Sequence, residues 1–547
     1  MVTAATVLQE AAPVTKAAPS PVKTAWKGYE KVLFRIAFIF FIAISIPNTP
    51  EWYAQLIALD WRHLNYRDLY DIARFGSGIN FFGNKIFGTS LLGYANWLTT
   101  VLIATGGGLL WTWIVKLRKT ERAEYFGLYY WLRVVVRYRA GIGIIGFGFT
   151  KLLPVQMPYP SLGILNTNFG DLTAQKIYWL SIGIVPWYQI FAGVVEVAAG
   201  TLLFFRRTTT LGAILLAAAL GDIVYVNFAY DGGVHVYSSY FVLLAGFLLV
   251  NDVPNIYRLL VQEKPVVPVN YYPVFNRAGK ALRIGLKSFT IFLFLGVLFY
   301  LQLINFLYDP YKQPAVAGVK VLRGNYNVTE FRINDQVIPY NPLDTVRWQE
   351  ATFENWSTFT FRVNKPHPLD LSNGGGDPQR DVNRTFEITG LAGGQRAFHY
   401  YADEVEHTLY LEDKYKAIPD RRNRTAGVGG DGGTDVNLGN DKTPAVTRND
   451  KDERQQEDWI PAAARKNIGD EYGKIASIAL SARRKRDYAA APKNEKRQRF
   501  VVQYQTTDGN HVILTGTDEN KNRLYVVLDR VDRHYALTPS SLQAGKY

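Results

Sequence analysis

No cysteine occurs among the 547 residues. Its absence excludes disulfides, thiolate metal sites, iron–sulfur ligation and covalent c-type haem attachment. An extracytoplasmic domain built without disulfides is more at home in a bacterium than in a eukaryotic secreted protein. Histidine is scarce as well, and none of the seven lies inside a long apolar run, so the paired ligands of a membrane haem b are missing. His399 and His407 share an expected hairpin, but no carboxylate spacing there makes a metal site, and no metal is expected. Residues 1–23 lack the apolar core of a cleaved signal peptide. Walker loops, dinucleotide fingerprints and nucleophile elbows are also missing. The net charge of +14 comes with no nucleic-acid recognition motif, and much of the excess flanks apolar segments, so no nucleic-acid partner is expected.

A mean hydropathy of −0.06 conceals two unlike halves. Residues 32–307 are dense in aliphatic and aromatic side chains, whereas 308–547 are polar, charged and glycine-rich. A transmembrane helix needs about 20 mostly apolar residues. Candidate spans are 32–47, 95–115, 138–153, 185–205, 209–229, 235–250 and 286–307, about seven in all. Lysine and arginine concentrate in the N-terminal flank (Lys23, Lys27, Lys31), after the second span (Lys116, Arg118, Lys119, Arg122), after the fourth (Arg206, Arg207) and after the sixth. Seven spans put all four stretches on one side. The positive-inside rule then makes the N-terminus cytoplasmic and the C-terminal domain periplasmic, in a bacterial inner membrane. Residues 1–31 are expected to be a flexible cytoplasmic N-terminus. Segment 124–137 reads as an interfacial helix, and loop 48–93 as short helices on the outer surface.

The fold expected is therefore an all-α transmembrane bundle over 32–307 followed by a soluble, mostly-β sandwich or barrel over 308–547. Strands are expected at GNYNVTEFRIN, STFTFRV, RTFEIT, AFHYY, HTLYLE, FVVQYQT, HVILTGT, RLYVVLDR and HYALT. Asp508-Gly509 marks a hairpin turn. An insert over 415–499 has few large apolar residues and reads as disordered, so deleting about 421–455 should leave the β domain folded.

Ionisable groups within spans are costly and mark candidate sites. The bundle holds Arg35, Arg139, Lys151, Glu196 and Asp222, with His235 at the outer mouth of the sixth span. At about 1.5 Å per residue, with Arg139 taken as the inner end of its span, Lys151, Glu196 and Asp222 lie roughly 18, 14 and 20 Å from the inner boundary. They are expected to share one layer, as a ligand or proton site or as mutual pairing that holds the helices. Gly141, Gly143, Gly146 and Gly148, with Gly193 and Gly200 around Glu196, suit close helix contact.

These residues also resemble a known family. RAGIGIIGFGFTKLLP (139–154) is similar to the opening helix of the DoxX family, and GVVEVAAGTLLFFRRTTTLGAILLAAALGDIVYVNFAYD (193–231) to its next two helices. The resemblance spans about residues 130–250 and is closest to long DoxX-like proteins with added helices and a periplasmic tail. It implies membership of a group that includes a subunit of thiosulfate:quinone oxidoreductase and membrane partners of redox enzymes. Three functions stay open. One is an accessory or scaffold subunit whose β domain docks another membrane or periplasmic protein. The second is a quinone-binding or quinone-linked oxidoreductase using the Glu196 layer, with quinone as the one cofactor in view. The third is a small-molecule transporter.

Overall fold

The computed structural model describes residues 25–75 without 63 and 65, 91–370 without 268, 269, 309, 311, 315 and 368, then 381–414, 459–464, 497–538, 542 and 544. The N-terminal half is helical. Its main elements are α1 (Gly28–Ser45), α2 (Pro50–Ala58), α3 (Tyr66–Ala73), α4 (Leu92–Leu117), α5 (Phe126–Leu152), α6 (Leu162–Leu165), α7 (Ala174–Gly183), α8 (Pro186–Leu203), α9 (Thr209–Ala229), α10 (His235–Leu249) and α11 (Val253–Leu260). A last helix, α12 (Arg277–Tyr308), contains a π-helical stretch at Phe292–Val297. Among the described residues three helices are individually long and apolar enough to cross a membrane, at Gly93–Leu117, Thr209–Ala229 and Arg277–Tyr308. Two bent pairs raise this to five: α7 with α8, at 92°, and α10 with α11, at 76°.

Several expectations need correction. Segment 124–137 is no separate interfacial helix. It is the first half of α5, which runs unbroken for 27 residues because no proline or cap interrupts it before Pro154. The expected flexible N-terminus stops short of 31, since α1 starts at Gly28. Loop 48–93 does not stay on the surface. Its helix α3 enters the bundle, with Leu69 and Tyr70 buried and Tyr70 against Gly146 of α5. Polar residues dominate α3, so hydropathy could not reveal a buried element. One face of it is nevertheless apolar, and that face supplies the packing.

The C-terminal half closes into an antiparallel barrel. Its strands are β1 (Gly324–Ile333), β2 (Gln336–Val337), β3 (Glu350–Phe353), β4 (Thr358–Arg362), β5 (Gln395–Asp403), β6 (Thr408–Asp413), β7 (Arg499–Gln505), β8 (His511–Thr517) and β9 (Arg523–Val531). β1 pairs with β3 at one end and along β9, which closes eight strands; β2 is a two-residue flap on β1. An eight-stranded barrel has an interior that side chains just fill. Here aromatic rings fill it, with Trp348 stacked on Phe361 at 3.9 Å and Phe361 on Phe398 at 5.6 Å. Two expected strands are absent: RTFEIT (384–389) forms turns and HYALT (534–538) is irregular, while β3 had no expected counterpart. Residues 384–389 fail as a strand because Arg384 and Glu387 are buried and bonded to the neighbouring loops. Residues 421–455 of the expected insert lie outside the described residues. At 459–464, Ile460 and Ala464 pack on Tyr401 of the barrel.

The outer face of β3–β5 is covered by the helical half. Glu354 of the barrel accepts the backbone N–H groups of Leu162 and Gly163, both at 2.9 Å, which caps the short helix α6. Thr173 and Gly390 bond through their backbones, as do Ala392 and Asp171. Ile164, Trp356, Phe386 and Leu391 form a small apolar cluster between the halves.

Candidate functional site

The site is built on the contact between α5 and α8. Gly141 and Gly148 are seven residues apart on α5, and Gly193 and Gly200 are seven apart on α8. Seven residues are two helical turns, so each pair lies on one face. Missing side chains let the backbones meet: a Cβ on Gly193 would lie 2.3 Å from Leu152 N, and one on Gly148 2.9 Å from Val197 N. Lys151 follows Gly148 by three residues, and Glu196 follows Gly193 by three, so both side chains emerge on the contacting faces. The Lys151 ammonium sits 3.0 Å from each Glu196 carboxylate oxygen, and both side chains are buried. An ion pair at this depth needs such two-fold contact to offset the loss of hydration.

Beside the pair lies a cavity of about 90 Å³. Phe147 and Phe241 give it apolar walls. Gln156, Gln175 and Asn227 bring amides, and Tyr178, Tyr230 and Tyr237 bring phenols. Part of the wall comes from α7 and its preceding segment, which Gln189 of α8 holds by bonding both the N–H and the carbonyl of Met157. Apolar walls with a few convergent polar groups are the usual make-up of a small-molecule site, and at this volume the cavity takes no more than a ligand's head group. The Lys151 ammonium carries three N–H donors for the two Glu196 oxygens, and both side chains line the cavity.

The other expected site residues stand elsewhere. Asp222 is exposed on α9 and does not join the Lys151–Glu196 pair, though it lies within electrostatic reach of the cavity's Tyr178. Its depth was estimated from sequence, but its angular position around α9 could not be. Arg139 is not at a helix end; it lies midway along α5. It donates to the Tyr240 hydroxyl at 3.0 Å and to the carbonyls of Ala73 and Phe75, so it binds the C-terminal end of α3. His235 is stacked between Phe228 and Tyr94, at 4.4 and 5.7 Å, outside the cavity lining. Arg35 bonds Tyr125, Thr112 and Glu121 and ties α1 to the loop before α5. Sequence reasoning missed the cavity residues of α7, Gln175, Tyr178 and Trp179, whose signal is a run of aromatics and amides in a loop expected to be exposed. It also missed Arg74, just after α3, whose guanidinium lies 5.5 Å from the Phe147 ring and 5.2 Å from the Tyr237 ring, behind the cavity wall.

At the junction with the barrel, two ionisable groups are strongly perturbed: Glu354 after β3 and Lys176 in the first turn of α7. Burial pushes the Glu354 carboxyl up to about 7, against the pull of the Gly163 and Leu162 N–H groups. Burial pulls the Lys176 ammonium down to about 7, with Glu387 and Asp370 opposing. Lys176 donates to the Phe386 carbonyl at 2.8 Å.

Fold and site together define a protein with long apolar helices, a buried cation–carboxylate cavity and a closed antiparallel barrel seated on its loops. The chain belongs, over a stretch of 119 residues, to the family of the uncharacterized protein YwoB of Bacillus subtilis (strain 168), with 31% identity across 20% of this chain and 75% of that protein. No protein-family profile matches the chain, and no solved structure does.

Proposed function

We propose that this chain is a seven-span, DoxX-like protein of the bacterial inner membrane that binds a small amphipathic ligand of the quinone class beside Lys151 and Glu196. The observation that carries this is the buried ion pair lining a cavity, where the ammonium has a third N–H donor beyond the two that the glutamate oxygens can take. A quinone carbonyl would accept that N–H, and its ring would lie against Phe147 and Tyr237. The N-terminus is cytoplasmic and the barrel periplasmic, as the basic loops require. A topology reporter fused after Tyr547 should be active only outside the cytoplasm, and one in loop 116–123 only inside.

The binding test is thermal unfolding of the full chain in mild detergent with a short-tailed ubiquinone. Quinone should raise Tm for the native chain and not for Lys151→Met or Glu196→Gln. No protection of the native chain, together with no co-purifying quinone by mass spectrometry, would remove this reading.

A second reading, an accessory subunit that docks a partner through the barrel, rests on a different observation. Val337, Tyr340, Leu343 and Val346 stand exposed together in the segment after β1. Apolar side chains grouped on a soluble domain mark interaction surfaces. Replacing Tyr340 and Leu343 by serine should release co-purifying protein without lowering Tm.

A further inference from the structure

The opposite half of α5 borders a second cavity, of about 970 Å³, far larger than the first. Arg137 and Lys151 are fourteen residues apart along the helix, or roughly 21 Å, so the two sites are separate. The cavity is lined by α1, the start of α5, the α8–α9 turn, the end of α10 and parts of segment 251–272.

Its polar wall is basic. Arg133 and Arg137 are four residues apart and share a helix face. Arg206 enters from the α8–α9 turn and lies 4.3 Å from the Tyr272 ring. Lys287 of α12 is within electrostatic reach of Arg137, Arg283 and Arg206. Two carboxylates line the same cavity, and both have work already. Asp252 lies 3.6 Å from Arg133 and accepts from Thr210 at 2.7 Å. Glu30 accepts the Lys27 backbone N–H at 2.7 Å, at the start of α1.

Arg137 is the group left wanting. It is 8% exposed, and it donates to Thr209 Oγ1 at 3.1 Å. Its Nε is buried without a partner. A buried cation among other cations, with no carboxylate paired to it among the described residues, is costly unless an anion completes the site. A guanidinium also offers the paired donors that suit a phosphate.

The remaining wall says what accompanies that anion. Phe34, Phe41 and Phe247 are apolar and continuous with the basic end. The volume lies at the top of the roughly 300–1,000 Å³ range of small-molecule sites, far more than a bare inorganic ion fills. We propose that this cavity binds an anionic amphiphile, a phosphate-headed lipid, with its phosphate on Arg137 between Arg133 and Arg206 and its chain against the three phenylalanines.

The test uses the full chain purified in mild detergent, read by native mass spectrometry and by thermal unfolding. The probes are phosphatidylglycerol, phosphatidylcholine with the same chains, and inorganic phosphate. Phosphatidylglycerol should be retained and should raise Tm. Phosphatidylcholine should bind about tenfold more weakly or worse, and inorganic phosphate at millimolar concentration should leave Tm unchanged. Arg137→Gln should weaken phosphatidylglycerol retention about tenfold. If that variant does not fold, Arg206→Gln should show the same direction of loss. Equal retention of the two lipids, or unchanged retention in the arginine variant that folds, overturns the proposal. Full stabilisation by inorganic phosphate alone also overturns it, in favour of a soluble anion.

Discussion

Lys151 and Glu196 act as a unit, and their energetics follow from burial. Removing the lysine leaves a carboxylate without its counter-ion at membrane depth, which costs about 3–5 kcal/mol in buried pairs. Lys151→Met should therefore be strongly destabilising. Adding Glu196→Gln should recover part of the loss, because the stranded charge goes with it. The double-mutant cycle, measured by thermal unfolding in detergent, should show a coupling above about 1 kcal/mol. Simple additivity would mean that the ammonium reaches the outer surface instead. Asp222 provides the contrast. It is exposed and outside the pair, so Asp222→Asn should add independently to Lys151→Met.

At the scale of elements, the α5–α8 contact holds the site together. Gly193 faces the α5 backbone, where a Cβ would lie 2.3 Å from Leu152 N and 2.7 Å from the Gly148 carbonyl. Backbone cannot move aside as a flexible side chain can. Gly193→Val should force the helices apart, lower stability by about 3 kcal/mol or more, and abolish quinone protection. Gly127 has open space around it, so Gly127→Ala should leave both readings near those of the native chain. Helix α3 shows another consequence of packing. Arg139 satisfies the carbonyls at the end of α3, so Arg139→Leu should strand them inside the bundle and loosen α3. Faster hydrogen exchange across 66–75 would report this; unchanged exchange would assign α3's position to its apolar contacts alone.

At the scale of the whole molecule, the junction between barrel and helices carries a pH signature. Glu354 has its folded pKa raised to about 7, so the native state holds its proton more tightly than the unfolded chain does. Its contribution is therefore lost as pH rises from about 4.5 to about 7. Lys176 has its folded pKa lowered to about 7, so the native state carries fewer protons than the unfolded chain between about 7 and about 10.5. Stability from that group is gained as pH rises across that window and is flat below it. Together the two place the weakest junction near neutral pH. Thermal unfolding followed from pH 5 to 9 should pass through a minimum, and Glu354→Gln should remove the acid-side slope. A curve with no such slope in the native chain would show that the Leu162 and Gly163 N–H groups hold the carboxylate ionised.

Local sequence determined much of this protein. Hydropathy over some 20 residues located the long apolar helices, and alternation with turn residues located most of the barrel strands, because both depend on neighbours along the chain. The glycine spacing on α5 and α8 was legible too, since a seven-residue repeat marks one helix face. Rotation about a helix, the path of a loop and the partner of a buried charge depend on residues far apart in sequence. Only the tertiary structure could therefore leave Asp222 out of the expected Lys151–Glu196 pairing, take α3 into the bundle, and draw 384–389 away from the barrel to meet Lys176. The same limit hid the Arg137 cavity. Arg133 and Arg137 read as one face of an interfacial helix and Arg206 as a loop charge, and only the assembled helices bring the three to one cavity.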